Sequence, residues 1–420
     1  MKKIFVFLML MAIIFITGCG KDSAESVFKD LTNKINKLNG YTLTGVLEVK
    51  NNINNYTYDV IINHMQKDKY RVSLVNTANN HEQVILRNDD GVFVLTPSLN
   101  KSFKFQSDWP YNNSQVYILE SIIDDLNKDN EVKKEEKDGK YIFTSKVNYP
   151  NNNKLVSQRV TATKDLFIES VEVLNEQGEV EMVFTINNSD YNPTFDESYF
   201  EVNSILNTNT SDNNSKENNQ DNSKNIEKNS KQDDSKTENS TTDNNQTCDS
   251  TKDANCTEQN QNANTDSNNA KPQSNSLENY VVKKITLSIN DDKTETKKEE
   301  INPTATLEDV IYPLYLPTGT VLKEQEKVNK TDGERVILTF AGDKEFTLVE
   351  ETAVKEKEFT VIPTYGEPGF VNDSIGAITD NSLNWISNGV EYYMVSDVMN
   401  TVELLDIANS INVKAVASLK

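Results

Sequence analysis

Cys19 is the residue with the clearest potential for covalent chemistry, because of what precedes it in the chain. Lys2 and Lys3 come first, an apolar run covers residues 4–16, and the small residues Thr17 and Gly18 lead into the cysteine. A basic start, a short apolar core and small residues at a cleavage point are the parts of a secretory signal peptide. The apolar run is shorter than the roughly 20 residues that a membrane-spanning helix needs. The sequence therefore predicts export, with a thiol at the cleavage point.

The order Ile16-Thr17-Gly18-Cys19 resembles the bacterial lipobox. In that motif the cysteine thiol is joined to a diacylglycerol, and the chain is cut just before it. The resemblance implies a signal peptide at residues 1–18 and a mature chain anchored through Cys19 at the outer face of the cytoplasmic membrane. The membrane is then a partner through the lipid anchor. The alternative is a plain signal peptide followed by an incidental cysteine.

The other reactive residues give little indication of catalysis. His64 and His81 are the only two histidines, and both are expected at the surface or in turns. Cys248 and Cys256 lie in a polar stretch, where they form either a short-loop disulfide or two unpaired thiols. The sequence contains no Gly-rich phosphate loop and no HExxH or GxSxG motif. We therefore predict a protein that is not an enzyme and has no metal or other cofactor.

The charge of the chain bears on its partners. The formal net charge is -22 and the pI is about 4.6. Nucleic acids and anionic membrane surfaces select basic patches, so such an acidic chain is not expected to bind nucleic acid. A protein or a lipid remains as the expected partner.

The distribution of apolar residues divides the mature chain into three parts. Residues 19–202 are densely patterned, residues 203–279 contain mainly Asn, Ser, Asp, Lys, Thr and Gln, and apolar patterning returns in residues 280–420. The middle part cannot bury enough apolar surface to offset its backbone entropy. It is therefore predicted to be a disordered linker between two folded domains.

The first domain reads as a helix followed by many strands. The helix is predicted from Asp22 or Ser23 to Leu38, with apolar residues three and four positions apart. From residue 41 the apolar period changes to two, and a second helix is predicted from Ser114 to Asn127. This pattern predicts a long antiparallel meander with helices laid across one face.

Such a sheet has a concave apolar face beneath its helices. That face either binds an acyl chain or an apolar protein segment, or is an ordinary core filled by the helices. The alternation predicts that the strands contribute Leu43, Leu47, Val60, Ile62 and Val72 to this face, and Ile122 and Ile123 are expected to cover it from the second helix.

Two segments carry a resemblance to a known family. Residues 84–110, with the turn Asn88-Asp89-Asp90-Gly91 and the pair Trp109-Pro110, are similar to LolA-like lipoproteins of spore-forming Gram-positive bacteria. Residues 191–200 resemble the closing segment of that domain. The resemblance implies an unclosed antiparallel β-barrel of about eleven strands with a helical lid.

The same resemblance implies three kinds of function. In the first, the domain is a non-catalytic scaffold or partner-binding protein in envelope or spore-related processes, as the germination lipoprotein of clostridia suggests. In the second, the concave apolar face binds lipid or a lipidated protein, as LolA and LolB carriers do. In the third, the protein senses the state of the envelope, as RseB-like proteins do.

The C-terminal part is predicted to be a small α+β domain, so the fold class of the whole chain is α+β. Residues 383–393 read as a strand, an Asn-Gly turn and a second strand. A helix from Val402 to Ile411 follows, capped by Asn400 or Thr401. Residues 280–289 are a strand either of this domain or of the first one.

Overall fold

The first sheet begins beneath a short amphipathic helix. A computed structural model of the protein describes residues 24–50, 54–205, 307 and 309–411. Helix α1 covers Ala24–Asn36 and buries Val27, Leu31 and Ile35, which recur every four residues on one face. It ends before the predicted Leu38, since Leu38 donates a backbone hydrogen bond to Ile35 O in a terminal turn.

Eleven antiparallel strands follow α1, in the order β6-β5-β4-β3-β2-β1-β11-β10-β9-β8-β7. The two ends of this sheet do not pair with each other in the described residues, so the barrel is unclosed. The strands are β1 (Gly40–Lys50), β2 (Asn55–Met65), β3 (Lys69–Asn76), β4 (Glu82–Asn88), β5 (Gly91–Thr96), β6 (Lys101–Phe105), β7 (Lys133–Lys137), β8 (Lys140–Lys146), β9 (Leu155–Ala162), β10 (Ile168–Asn175) and β11 (Val180–Asp190).

Two glycines allow this sheet to turn and to pair closely. The predicted turn between β4 and β5 is confirmed, and Gly91 there has a φ of 131°, which a residue with a side chain rarely adopts. Gly45 lies where the register of β1 against β11 shifts. A Cβ at Gly45 would lie 2.2 Å from Thr185 O, so only glycine permits this approach of the two strands.

Helix α2 covers Leu119–Lys128 and lies over the concave face of the sheet, with Leu119, Ile122, Ile123 and Leu126 buried. The prediction that this helix begins at Ser114 is wrong. Ser114 exchanges hydrogen bonds with Asn148: its amide donates to Asn148 O (2.8 Å) and its hydroxyl accepts from Asn148 N (2.6 Å). Because these bonds tie the chain to a neighbouring loop, residues 114–118 cannot continue the helix.

A second sheet of seven antiparallel strands has the order β12-β13-β14-β19-β18-β17-β16. Its strands are β12 (Thr320–Asn329), β13 (Glu334–Gly342), β14 (Phe346–Thr352), β16 (Glu367–Val371), β17 (Ser374–Ile378), β18 (Ser382–Ser387) and β19 (Val390–Val395). The predicted hairpin is confirmed, with Gly389 at a φ of 81° between β18 and β19.

Helix α3 (Thr401–Ala408) covers the core of this second sheet. Asn400 is its N-cap, in a reciprocal pair with Glu403: Glu403 N donates to Asn400 Oδ1 (3.0 Å) and Asn400 N donates to Glu403 Oε2 (3.1 Å). The helix ends at Ala408, before the predicted Ile411, although Ile411 is buried in the same core.

Strand β15 (Thr360–Thr364) leaves the second sheet and joins the first. It pairs in parallel with β6, from Thr360 opposite Lys101 to Thr364 opposite Phe105. Phe359 and Val361 then pack on the outer face of the first sheet with Phe200 of the closing segment. All described residues belong to one compact unit of the chain.

The described residues contain no helix that is both long enough and apolar enough to cross a membrane. Residues 1–18, Cys19, most of the predicted linker with Cys248 and Cys256, and residues 280–289 lie outside the described residues.

Candidate functional site

The structure places all of the predicted concave-face residues together in one buried cluster. Leu43, Ile62 and Val72 lie opposite one another across β1, β2 and β3, so their side chains form one row on the same face. Leu47 and Val60 lie on the same face, and Ile122 and Ile123 contact this surface from α2. The concave face is therefore a buried core of the first sheet, and its apolar side chains at these positions are not exposed to solvent.

The C-terminal region also fills part of this interior, which sequence reasoning missed. The hairpin of β16 and β17 contributes Phe370, Ile375 and Ala377 to the same apolar cluster. The rings of Tyr58 and Phe370 lie 5.5 Å apart. We call residues 367–378 the docking hairpin, since it joins the core of the first sheet to the second sheet.

Gln83 holds the docking hairpin through a two-way hydrogen bond. Its side-chain amide donates to Ile375 O (2.9 Å) and accepts from Ile375 N (2.6 Å). Gln83 is buried, so this pair satisfies backbone groups that water does not reach. The only signal in the sequence is a glutamine just before the apolar run of β4. It does not indicate that Ile375 is the partner.

The turn of the docking hairpin carries polar residues into the interface. Tyr56 OH donates a short hydrogen bond to Asn372 Oδ1. The side chain of Asn79 donates to Asp373 Oδ2 (3.3 Å), and burial raises the pKa of the Asp373 carboxyl. Burial also lowers the pKa of His81, although Asp373 acts in the opposite direction.

The expectation that His64 lies at the surface is wrong. His64 is a buried residue of β2, stacked on Tyr70 with ring centroids 4.3 Å apart. Its Nδ1 lies 3.1 Å from Lys69 O, and its Nε2 lies 3.3 Å from Glu120 Oε1 at the start of α2. Tyr41 OH donates to the other Glu120 oxygen (2.8 Å). The histidine thus helps to fasten the helical lid to the sheet, and burial lowers its pKa against the opposing effect of Glu120.

A second buried carboxylate lies in the core of the C-terminal region. Glu350 of β14 is fully buried, and its Oε2 accepts a hydrogen bond from Ile311 N (3.1 Å). Its Oε1 has no hydrogen-bond partner in the described part of the chain. Burial, opposed by that backbone bond, raises the pKa of this carboxyl to about 7.

We expect Glu350 to make stability fall as the pH rises. Below 4.5, the ordinary pKa of a glutamate, the carboxyl is protonated in both the folded and the unfolded chain; between 4.5 and about 7 only the unfolded chain ionises. The free energy of unfolding should therefore decrease across this interval by up to about 3 kcal/mol. Urea unfolding at pH 5 and at pH 8 measures the change in the free energy of unfolding. Glu350→Gln should make this change smaller, whereas Glu326→Gln on exposed β12 should leave it as in the wild type. Equal pH slopes in wild type and Glu350→Gln would contradict this assignment.

An amphipathic cavity remains between the first sheet and the C-terminal region. This interdomain cleft has a volume of about 160 Å³. Its lining includes Val49, Tyr117, Phe370, Ile375 and Leu405, while Lys50, Lys154 and Asp406 lie among its polar residues. A larger groove beside α2, of about 670 Å³, is lined mainly by polar side chains such as Asn36, Glu120 and Asp124.

The described residues contain no group of three His, Cys, Asp or Glu side chains that could hold a metal ion. The acidic groups of the groove are largely engaged by neighbours. Asp124 pairs with Lys128 at 2.5 Å, and Glu120 contacts Tyr41 and His64. These acidic side chains of the groove therefore take part in structural contacts.

No protein-family model matches the chain. Among solved structures, a chain of the MucA/MucB complex of Pseudomonas aeruginosa is similar, with 11% identity, a TM-score of 0.25 and coverage of 90% of this chain and 98% of that one. A LolA superfamily protein of Nitrosomonas europaea has 8% identity, a TM-score of 0.26 and coverage of 42% of this chain and 98% of its own. With TM-scores this low, neither likeness supports an argument about function.

A curated relative covers nearly the whole chain. The sporulation protein YdcC of Bacillus subtilis (strain 168) is 30% identical over 412 residues, which are 97% of each protein. This match confirms the sporulation-protein assignment predicted from the sequence. The chain belongs to the family of the sporulation protein YdcC.

Proposed function

We propose that this chain is a lipid-anchored, non-catalytic protein that binds a protein partner at the outer face of the cytoplasmic membrane during sporulation. The family supplies the context of sporulation. The resemblance of residues 16–19 to a lipobox supports the anchor.

We choose a protein partner because the concave face of the first sheet is already filled by the protein's own side chains. Side chains of α1, α2 and the docking hairpin occupy the concave face of the first sheet. The remaining amphipathic space is about 160 Å³, whereas small-molecule pockets usually span about 300–1,000 Å³. A long acyl chain would have to displace packed core residues, so capture of a whole lipid is disfavoured in this conformation.

A protein partner needs no such displacement. Exposed apolar side chains on the C-terminal region include Tyr312, Leu314, Tyr315 and Val321. Tyr312, Leu314 and Tyr315 are close together along the chain, and exposed apolar patches commonly mark protein contact surfaces. The net charge of -22 favours solubility.

We expect Cys19→Ala to abolish acylation. Wild-type protein should incorporate labelled palmitate and enter the detergent phase, since two acyl chains give stable anchoring. The Cys19→Ala variant should incorporate none, while Cys248→Ala should behave as wild type. Native mass spectrometry of the Cys19→Ala chain, expressed from residue 19 onward and purified without detergent, should show the mass of the polypeptide alone. Palmitate on the variant would refute Cys19 as the acylated residue, the absence of palmitate on the wild type would refute the anchor, and a stoichiometric co-purified lipid would refute the protein-partner assignment.

A further inference from the structure

The interdomain cleft is built from both halves of the molecule. Val49 of β1 and Tyr117 contribute to its apolar lining from the first sheet, and Phe370 and Ile375 do so from the docking hairpin. Leu405 of α3 completes that lining. Because these side chains come from elements that pack on each other, the cavity exists only when the C-terminal region is docked on the first sheet.

The size of the cleft limits what it can hold. Its volume of about 160 Å³ is close to that of an engineered apolar cavity of about 150 Å³ that binds benzene. A space of this size takes one aromatic ring or one branched aliphatic side chain. It is too small for a complete acyl chain, a nucleotide or a sugar ring with its hydroxyl groups.

The polar residues of the cleft indicate what should flank that group. Lys154 Nζ forms an ion pair with Asp406 Oδ1 (2.6 Å), and Glu181 accepts a hydrogen bond from the Asn175 side chain (2.6 Å). Lys50 is exposed and forms no ion pair in the described part of the chain. It is therefore a cation available to a carboxylate on an incoming ligand.

The amide side chains around the cleft suit a peptide. Gln115, Asn151 and Asn152 line it and are only partly buried. Each carries both a donor and an acceptor, which matches the alternating N–H and C=O groups of an extended backbone. An apolar pocket surrounded by such groups is the usual geometry for a single anchor side chain at a protein interface.

We infer that the interdomain cleft receives one aromatic or branched aliphatic side chain from a partner protein, with an acidic residue beside it that pairs with Lys50. This inference rests on the proposed partner-binding function and names the site and the chemistry of the partner segment. The anchor side chain would contact both halves of the molecule at once, so binding would be coupled to the docked arrangement.

The first test uses fluorobenzene as a probe of the cavity, observed by fluorine NMR on the full mature chain. Saturable binding is expected in wild type. Val402→Trp should weaken binding at least tenfold, because Val402 lines the cleft and the larger ring would fill it. Val398→Trp is the control, since Val398 is 55% exposed and outside the cleft. Unfolding curves of both variants should match wild type; equal probe binding in Val402→Trp and Val398→Trp would overturn the site.

The second test uses two capped dipeptides, acetyl-Asp-Phe-amide and acetyl-Lys-Phe-amide, as competitors of the probe. The acidic dipeptide should compete better with wild type, and Lys50→Glu should reverse that order. Equal competition in both proteins would overturn the role of Lys50.

Two other results would assign the cleft to a different occupant. Displacement by palmitate with higher affinity would assign the cleft to lipid instead. Probe binding seen only after removal of residues 412–420 would identify the chain's own C-terminus as the occupant. These outcomes are independent of acylation at Cys19, which palmitate labelling reports separately.

Discussion

Leu47→Gln is expected to destabilise the protein strongly, with a loss of about 3–8 kcal/mol in the free energy of unfolding. Leu47 is fully buried on β1, opposite Tyr58 of β2 and Phe184 of β11. Removal of a buried leucine costs about 2–5 kcal/mol, and a buried amide without a partner adds about 1–3 kcal/mol. Natural domains have only about 5–15 kcal/mol to lose. Chemical unfolding followed by circular dichroism measures the change.

Val46→Gln is the matched control for this substitution. Val46 is the preceding residue of β1, and its side chain points to the opposite face of the sheet, where it is only half buried. A glutamine there can reach water, so we expect a change of about 1 kcal/mol or less. A Leu47→Gln protein that keeps its stability but loses capture of a lipid or a partner would show that the concave face is a binding surface rather than a core.

Gln83→Leu should separate the two halves of the molecule. The substitution leaves Ile375 N and Ile375 O without their partners at a buried position, at a cost of about 1–3 kcal/mol for each group. We expect a loss of about 2–6 kcal/mol. We also expect two unfolding transitions in the variant and one in the wild type. Hydrogen exchange should accelerate in β16 and β17, while β1 to β3 remain protected.

Gln66→Leu is the control for the loss of a glutamine. Gln66 is exposed, and its side chain donates a longer bond of 3.4 Å to Leu38 O. Its replacement should change the free energy of unfolding by about 0.5 kcal/mol or less. A Gln83→Leu protein that unfolds in one transition with wild-type stability would mean that the docking hairpin is held by its apolar residues alone.

The parallel pairing of β15 with β6 is a second interaction that attaches the C-terminal region to the first sheet. The edge of a sheet presents unpaired N–H and C=O groups, and natural proteins cover such edges. Here residues 360–364 pair in parallel with β6 and cover that edge. Lys101 of β6 also pairs with Glu391 of β19 (3.0 Å), so an ion pair joins the two sheets beside the backbone ladder. The C-terminal region therefore contributes to the stability of the first sheet.

The local features of this protein could be predicted from the sequence. Apolar residues two positions apart identified the buried face of β1, β2 and β3, including Leu43, Val60 and Val72, because side chains alternate along any strand. The glycines at 91 and 389 marked hairpin turns because positive φ angles favour glycine. The cap at Asn400 followed from its place before an apolar repeat. The signal at Cys19 is likewise a short pattern, and its acylation remains a prediction.

The contacts between distant parts of the chain could not be predicted in this way. Gln83 and Ile375 are 292 residues apart, and periodicity carries no information about such a pair. His64 looked like a strand-end residue, yet the approach of α2 placed Glu120 beside it and buried it. The order of the residues specifies which faces are apolar, because alternation is a property of neighbouring residues. The three-dimensional arrangement decided what covers those faces, because packing depends on the shapes of elements brought together from far along the chain.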